Sequence, residues 1–334
     1  MDKVIVMSKP SARKRAAYFG VILILLLAVM IGGLRILEST VLLGGSSVQV
    51  DPVSKTITKN GVSYFPKQDI TVVMLLGTDQ QGTVAASDYY RNESRCDVVM
   101  LLILDHTKET YTVLNLNRDT MVTMPALGIG GKQAGTHYGQ LALSHTYGDG
   151  LEQSCENTLN TVSGMLHGIN IDYYVAVNMD AISLVNDSVG GVTVNVTDDF
   201  SEVDPSITKG EITLRGEQAF HFVHSRWYVS DHLNVNRMER HREYMSGLMD
   251  AIRAKNAEDP TFIIKLYETV APYMVTDCSV NTVSGIMDRC TDYTLAEIVS
   301  PEGKNVTGEE YYEFYPDEKK LDALVLRLFY AKKK

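Results

Sequence analysis

The stretches Ile70-Thr71-Val72-Val73-Met74-Leu75-Leu76 and Val98-Val99-Met100-Leu101-Leu102-Ile103-Leu104 decide the fold class. Each is an almost continuous apolar run of strand length. Strands that alternate apolar and polar residues show one face to water, whereas runs like these suit strands covered on both faces, with helices on either side of the sheet. The polar stretch Asp105-His106-Thr107-Lys108-Glu109 separates the second run from a third strand, Thr110 to Asn117, and reads as the turn of a hairpin.

Working outward, helical periodicity covers Leu151–Leu166, Ala181–Val189, Gly216–Val223, a long segment from about Leu233 to Arg253, and Asp317–Tyr330. Further strands are predicted at Tyr173–Asn178 and, after the turn Gly190-Gly191, at Val192–Val196. Pro260, Pro272 and Pro301 break up the C-terminal part, and no internal repeat is visible. The implied class is α/β, a mixed central β-sheet sandwiched between helical layers.

The segment Ala16–Leu34 (AAYFGVILILLLAVMIGGL) is just long enough to cross a hydrocarbon core of roughly 30 Å as a transmembrane helix. Lys9, Arg13, Lys14 and Arg15 precede it, which puts the N-terminus in the cytoplasm. A cleavable signal peptide is the competing reading, but its apolar stretch is usually shorter and it ends in a small-residue cleavage site, which Arg35–Leu43 does not offer. Both readings place everything beyond residue 40 or so outside the cytoplasm. The predicted organisation is a cytoplasmic tail (1–15), a single-pass membrane anchor (16–34), an extracytoplasmic stalk (35–68), a folded domain (69–255) and a helix-rich extension packed on it (256–334).

A net charge of −10 and a pI near 5.3 argue against a general nucleic-acid binder, which needs a broad positive surface. An anionic substrate must then be held by a local cluster of arginines or by a metal. Cys96, Cys155, Cys278 and Cys290 are an even set, open to disulfides in an oxidising compartment. Cys278–Cys290 is the easier pair, Cys96–Cys155 the remaining one, and free buried thiols are the alternative. None has zinc spacing.

If residues 98–104 and 110–117 pair antiparallel, Arg95 and Asp97 meet Arg118 and Asp119 at one edge of the sheet. Asp79, after the first strand, joins them if that strand runs with the third. Charge pairing at strand ends is the ordinary account of such residues. Taken together they fit another need, because carboxylates hold Mg²⁺ and arginine forks grip phosphate oxygens. A second polar cluster comprises Gln218, His224 and Arg226, then Asp231, Asn236, Arg237 and Arg240. On the long helix Met238, Met245, Leu248 and Ile252 form the expected core stripe, with Arg237, Arg240 and Tyr244 on an adjoining side.

At these residues the chain resembles the LytR–CpsA–Psr family of bacterial cell-wall glycopolymer transferases. The matching segments are ITVVMLLGTD, RCDVVMLLIL, LNLNRDTMVTMP, GQLALSHTYGDG, IDYYVAVNMDAISLVNDSVGGVTVNV, LRGEQAFHFVHSR and NRMERHREYM, in order across residues 70–253. The resemblance implies an enzyme dependent on Mg²⁺ (or Mn²⁺), with an undecaprenyl-pyrophosphate-linked glycan as donor, peptidoglycan as acceptor, and no nucleic acid as partner. It implies that Asp79 and Asp97 hold the metal and that Asp79, Asp97, Arg118 and Arg226 are catalytic. It also implies that Arg95, Arg118, Gln218, His224, Arg226, Arg237 and Arg240 line the pyrophosphate site, and that a hydrophobic tunnel takes the polyprenyl tail. The general base stays open between Asp119 and a metal-bound water.

This chain departs from the family at Gln80-Gln81, where an Arg is common, and at His224-Ser225-Arg226, where Arg-x-Arg is. It departs again at Arg240-His241, in place of Arg-Gln, and at Gln140-Leu141-Ala142, in place of a Lys-Ile-Asn-like stretch. The expected function is transfer of teichoic acid, capsule or another secondary wall polymer to peptidoglycan. The rivals are a catalytically weak or inactive wall-glycan-binding or regulatory protein of the same fold and a polyprenyl pyrophosphate hydrolase.

Overall fold

The structure is a computed structural model that describes residues 48–87, 92–128, 130–225, 228–229, 234–259, 261–279, 282, 286, 289, 293–308 and 311–332. The cytoplasmic tail and candidate anchor (1–34) lie outside these, and no helix among the described residues is long and apolar enough to cross a membrane.

The chain begins with β1 (Gln49–Val50), β2 (Ile57–Lys59), β3 (Val62–Pro66), β4 (Ile70–Thr78), β5 (Cys96–Asp105) and β6 (Thr110–Leu116). The hairpin β7 (Met121–Leu127) and β8 (Gln133–Gln140) leads through a 3-10 turn (Leu141–Thr146) to α1 (Glu152–Met165). Next come β9 (Tyr173–Asn178), α2 (Asp180–Ser188), β10 (Val192–Val196), β11 (Gly210–Leu214), α3 (Glu217–His224), α4 (Asn234–Glu258) and α5 (Phe262–Val270). The chain ends with β12 (Met274–Thr276), β13 (Thr294–Val299), β14 (Gly303–Thr307), β15 (Tyr312–Pro316), α6 (Glu318–Phe329) and β16 (Tyr330–Lys332). Contacts divide it into two units. Of the described residues, one unit comprises 48–181, Pro272–Cys278 and 293–332; the other comprises those within Ile182–Ala271 and 279–289.

The first unit is organised on a six-stranded sheet of order β12-β9-β4-β5-β6-β13. β4 runs antiparallel to β5 and parallel to β9, and β13 runs parallel to β6, so the sheet is mixed as expected. The predicted hairpin is present, in register from Val99↔Leu116 to Asp105↔Thr110. Its turn is closed by Asp105 Oδ1, which accepts from the amides of Thr107 and Lys108. Val72, Met74, Leu76, Val99, Leu101, Ile103, Leu114 and Leu116 share one core cluster with Val162 of α1 and with Leu321, Val325 and Phe329 of α6. Residues of the opposite parity, Val73, Leu75, Met100 and Leu102, are buried as well. That is why the strands read as unbroken apolar runs: each fully buried Leu or Ile is worth about 1.5–3 kcal/mol, and neither face forgoes it.

The stalk expectation is corrected for residues 49–66. β1, β2 and β3 form a sheet that is completed by β16 at the far end of the chain. Asn60 and Gly61 turn β2 into β3 with φ of 53° and 74°, the left-handed pair that a tight hairpin needs. Ile57 is fully buried, and Lys59 donates to Asp322 of α6 at 3.0 Å. A polar, Ser/Thr-rich segment concealed strands because only one side of so small a sheet is apolar. The extension, expected to be helix-rich, is also corrected: β12 and β13 are the edge strands of the central sheet, and α4 runs through the boundary drawn at residue 255.

In the second unit β10 and β11 pair antiparallel from Val192↔Leu214 to Val196↔Gly210, and α4 crosses β10. The crossing is close at Gly247, where a Cβ would stand 2.3 Å from the Thr193 carbonyl oxygen. On α4 the buried positions Arg240, Tyr244, Leu248 and Ile252 follow one another at i, i+4. Arg240 and Tyr244 therefore continue the core stripe instead of lying beside it; the Met238 and Met245 side chains are outside the described residues.

The disulfide expectations are corrected too. Cys96, Cys155 and Cys278 are free, buried thiols, and Cys290 is outside the described residues. Cys96 and Cys155 fill the apolar core as small hydrophobes, and burial pushes both thiols well up from their ordinary range.

Candidate functional site

Three chain segments meet at one edge of the central sheet: the end of β4, the start of β5 and the turn after β6. The β4–β5 ladder pairs Gly77 with Val98 and Thr78 with Cys96, leaving Asp97 as an extra, bulged residue. A bulge re-aims side chains. Here Cys96 stays in the core while Asp97, next to it, reaches the rim with its side chain 24% exposed. Asp79 and Arg95 clasp each other through the backbone: Asp79 N donates to Arg95 O at 3.1 Å, and Arg95 N donates to Asp79 Oδ1 at 2.6 Å. The Arg95 residue is exposed.

Arg118 is carried by a turn that Asn117 builds. Asn117 Oδ1 accepts from Asp119 N at 2.9 Å, and its carbonyl accepts from Thr120 N at 3.0 Å. The turn is then tied to the 3-10 segment by Ala142 N→Arg118 O and Leu141 N→Thr120 O. From this mount the Arg118 guanidinium pairs with Asp97 Oδ1 through Nη1 and lies 3.6 Å from Asp119 Oδ1 through Nε. Asp119 is held in turn by Gln140, whose Nε2 donates both to Asp119 Oδ1 and to the Tyr312 carbonyl at 2.9 Å. The expected convergence of Asp79, Asp97, Arg95, Arg118 and Asp119 is therefore what the sheet produces.

The electrostatics fit a divalent cation. Loss of hydration raises the Asp79 pKa, and the nearby Asp97 carboxylate raises it further, against the opposing bond from Arg95 N. Two hard-oxygen ligands that repel each other are a donor set that Mg²⁺ or Mn²⁺ relieves, and Mg²⁺ characteristically takes one or two carboxylates and keeps waters. Asn178, in register with Thr78, has a buried Oδ1 without a hydrogen-bond partner at the same sheet edge. Its Nδ2 donates to Gly82 O at 2.5 Å, and Asp180 Oδ2 accepts from Gly82 N at 2.6 Å, which fixes the loop that follows Asp79. No cluster of three or more His, Cys, Asp or Glu that could hold a metal occurs among the described residues; Asp79 and Asp97 are two neighbouring carboxylates. Sequence reading missed Asn117, Asn178 and the bulge at Asp97. Only the turn propensity of Asn hinted at the first.

The second cluster fares differently. Arg226 is outside the described residues, as is the side chain of Arg237, whose backbone belongs to α4. Arg240 is corrected. It is 5% exposed, and its guanidinium bonds Asp198, the Phe222 carbonyl and the Ser225 carbonyl while lying 5.4 Å from the Phe200 ring centroid. Its hydrogen-bonding capacity is turned inward. Gln218 is also committed locally, accepting from Arg215 N at 2.9 Å and donating to Ser206 Oγ at 2.7 Å, so that it braces the start of α3. His224 is exposed and stacks on Phe220 at 4.6 Å.

A cavity of about 340 Å³ opens elsewhere, at the start of β4, lined by Lys67, Ile70, Val72, Asp172, Phe329 and Tyr330 among others. It lies at the opposite end of β4 from Asp79 and takes no part in the rim.

The sequence profile of the LytR_cpsA_psr family matches residues 45–328. A polyisoprenyl-teichoic acid–peptidoglycan teichoic acid transferase, TagU, from Enterococcus faecalis is 28% identical, with 72% of each chain covered. The TagU transferase of Bacillus subtilis is 25% identical, with 79% of each chain covered. The crystal structure of B. subtilis TagV superposes with a TM-score of 0.56 at 23% identity, over 78% of this chain and 96% of that one, a likeness of fold.

Proposed function

Because the chain belongs to the LytR_cpsA_psr family, we propose that it is a membrane-anchored phosphotransferase whose extracytoplasmic domain moves a wall glycopolymer from a polyprenyl pyrophosphate carrier onto peptidoglycan. The observation that carries this reading is the Arg118–Asp97 pair beside Asp79 on one sheet rim. The naming of the TagU relatives as teichoic acid transferases supports the teichoic-acid class of donor.

In this mechanism a sugar hydroxyl of peptidoglycan attacks the phosphorus next to the polymer's first sugar, and the carrier leaves as its monophosphate. A new phosphodiester joins polymer to wall. Arg118, already oriented by Asp97 and Asp119, meets the charge that grows on the non-bridging oxygens. Arg95, on the same rim, is a second guanidinium group assigned to the diphosphate. Asp79 and Asp97 would hold a Mg²⁺ or Mn²⁺ ion, which when bound would add positive charge at the site. The general base stays unassigned; Asp119, beside Arg118 on the rim, is the protein carboxylate that could take the proton of the incoming hydroxyl. Charge fixed in advance in this way is where most of the barrier reduction arises.

The test is release of polyprenyl phosphate from a pyrophosphate-linked glycan lipid by the full chain in detergent, with and without peptidoglycan. Arg118→Ala should lower turnover about a hundredfold, the cost of one well-placed donor of roughly 3 kcal/mol. Asp97→Ala should abolish it. Near-parental rates in both variants would discard the assignment. Release without covalent product would favour the hydrolase, and no release by the parent protein would favour the inactive binder.

A further inference from the structure

Beside the Arg118 rim the chain builds a second surface. β15 lies against the start of β7 through the parallel bridge Thr120↔Phe314 and the bond Phe314 N→Asp119 O. β14 pairs with β15 and β8 with β7, so four strands run in the order β14-β15-β7-β8. Alternation sorts their side chains. Thr120, Val122, Met124 and Phe314 point into the core, each less than 9% exposed.

The opposite face is aromatic and open. Tyr138 is 56% exposed and sits across from Thr123; Val306 is 42% exposed and sits across from Glu313. Tyr311, at the head of β15, is 41% exposed, and the Tyr315 hydroxyl donates to Glu313 Oε2 at 2.7 Å. That bond pushes the Tyr315 phenol up to about 12, with the neighbouring phenols of Tyr138 and Tyr311 adding to the shift. Gln140 shares the face two residues along β8 from Tyr138, and it grips both Asp119 and the Tyr312 carbonyl. The surface is therefore continuous with the catalytic rim.

The geometry points to a saccharide-binding ledge, formed by Tyr138, Tyr311, Tyr315 and Glu313, that receives the glycan strand of the acceptor. It rests on the transferase reading of the rim. Exposed aromatic rings in a contiguous patch mark a binding surface, because they bury much area at little entropic cost. Phenol hydroxyls and a carboxylate beside them bond sugar hydroxyls. Charge selects among glycans: on the ledge itself Glu313 stands with Lys304, which lies across from Tyr315, so the ledge adds no net positive charge for a polyanionic polymer. A hydroxyl-rich, uncharged strand does fit. The two strand spacings of about 4.8 Å from β15 to β8 give it roughly 10 Å of run.

The test uses the full chain in detergent, N-acetylglucosamine tetramer as the binding probe, and peptidoglycan glycan strands as the acceptor in turnover. Tyr138→Ala/Tyr315→Ala should weaken tetramer binding at least tenfold and raise the acceptor KM by a similar factor. The donor KM and acceptor-independent release of polyprenyl phosphate should stay unchanged. Tyr138→Phe/Tyr315→Phe should keep most of the binding. Parental binding and acceptor KM in the alanine variant would overturn the ledge and leave the transferase reading standing, as would failure of the parent to bind the tetramer while it still transfers. Tyrosine-dependent tetramer binding in a parent that never releases lipid phosphate would remove the transferase reading and keep a saccharide site. Tyrosine-dependent binding of soluble teichoic acid in preference to the tetramer would overturn the class of ligand assigned.

Discussion

Replacing Arg240 by Met separates a structural arginine from a ligand-binding one. Arg240 is 5% exposed and Asp198, its partner, is 8% exposed. The substitution keeps much of the side-chain volume but removes a guanidinium that satisfies one carboxylate and two carbonyls, those of Phe222 and Ser225. Breaking a buried pair from one side costs about 3–5 kcal/mol, because the remaining charge loses its partner without regaining water. Taking about 4 kcal/mol, and about 2–4 °C per kcal/mol for a domain of this size class, Tm should fall by about 12 °C.

The assay is thermal and urea unfolding of Arg240→Met at pH 7, alongside Arg240→Met/Asp198→Leu. The double variant removes the stranded carboxylate and should recover a large part of the loss, although the two carbonyls stay unpaired. The donor KM measured at a temperature where Arg240→Met is still folded should be unchanged. Unfolding within about 0.5 kcal/mol of the parent, the range of ordinary surface changes, together with a raised donor KM, would refute the reasoning and return Arg240 to the pyrophosphate site.

Three further outcomes follow from the same geometry. The pKa of Asp79 is raised by burial, so its folded form favours the proton: the stability linked to this group is fully present below the ordinary carboxylate value and is lost as pH rises through the raised one. A cation needs the ionised form, so Mn²⁺ affinity should decline on acidification at a higher pH than for an ordinary carboxylate, and Asp79→Asn should flatten the profile. A Mn²⁺ titration that stays level from neutral pH down to the ordinary carboxylate range would contradict it. Asp322, fully buried between Lys59 Nζ at 3.0 Å and His167 Nε2 at 2.8 Å, should cost about 3–5 kcal/mol as Asp322→Ala by urea unfolding, and deletion of residues 48–66 should destabilise the domain as well. Gly247→Val should cost about 1–3 kcal/mol or more by forcing α4 off Thr193; an unchanged midpoint would refute so close a crossing.

The central strands and the main helices were legible because their information is local. An apolar run buried on both faces leaves little choice of element, and α1, α2, α3, α4 and α6 begin and end within a residue or two of their periodicity, α4 excepted at its C-terminal end. The rim was legible for a related reason, since hairpin topology alone places residues 95–97 beside 118–119. Arg240 was misread because a charged residue next to an apolar stripe normally faces water. Its position is fixed by Asp198, 42 residues earlier, which no period reveals.

The C-terminal segment was opaque for a deeper reason. β12, β13 and β16 are edge strands of three to six residues that exist only because a distant strand offers them unpaired backbone groups. Their side chains stay partly exposed and carry almost no apolar pattern. Yet β12 and β13 close the central sheet at both edges, and β15, which follows them, brings Tyr312 and Phe314 against Asp119 and Gln140 and thereby holds the turn that aims Arg118. The residues that a sequence displays most clearly are those that build the sheet. Those that orient its chemistry are set by backbone bonds between segments some two hundred residues apart, and a carbonyl has no identity in the sequence.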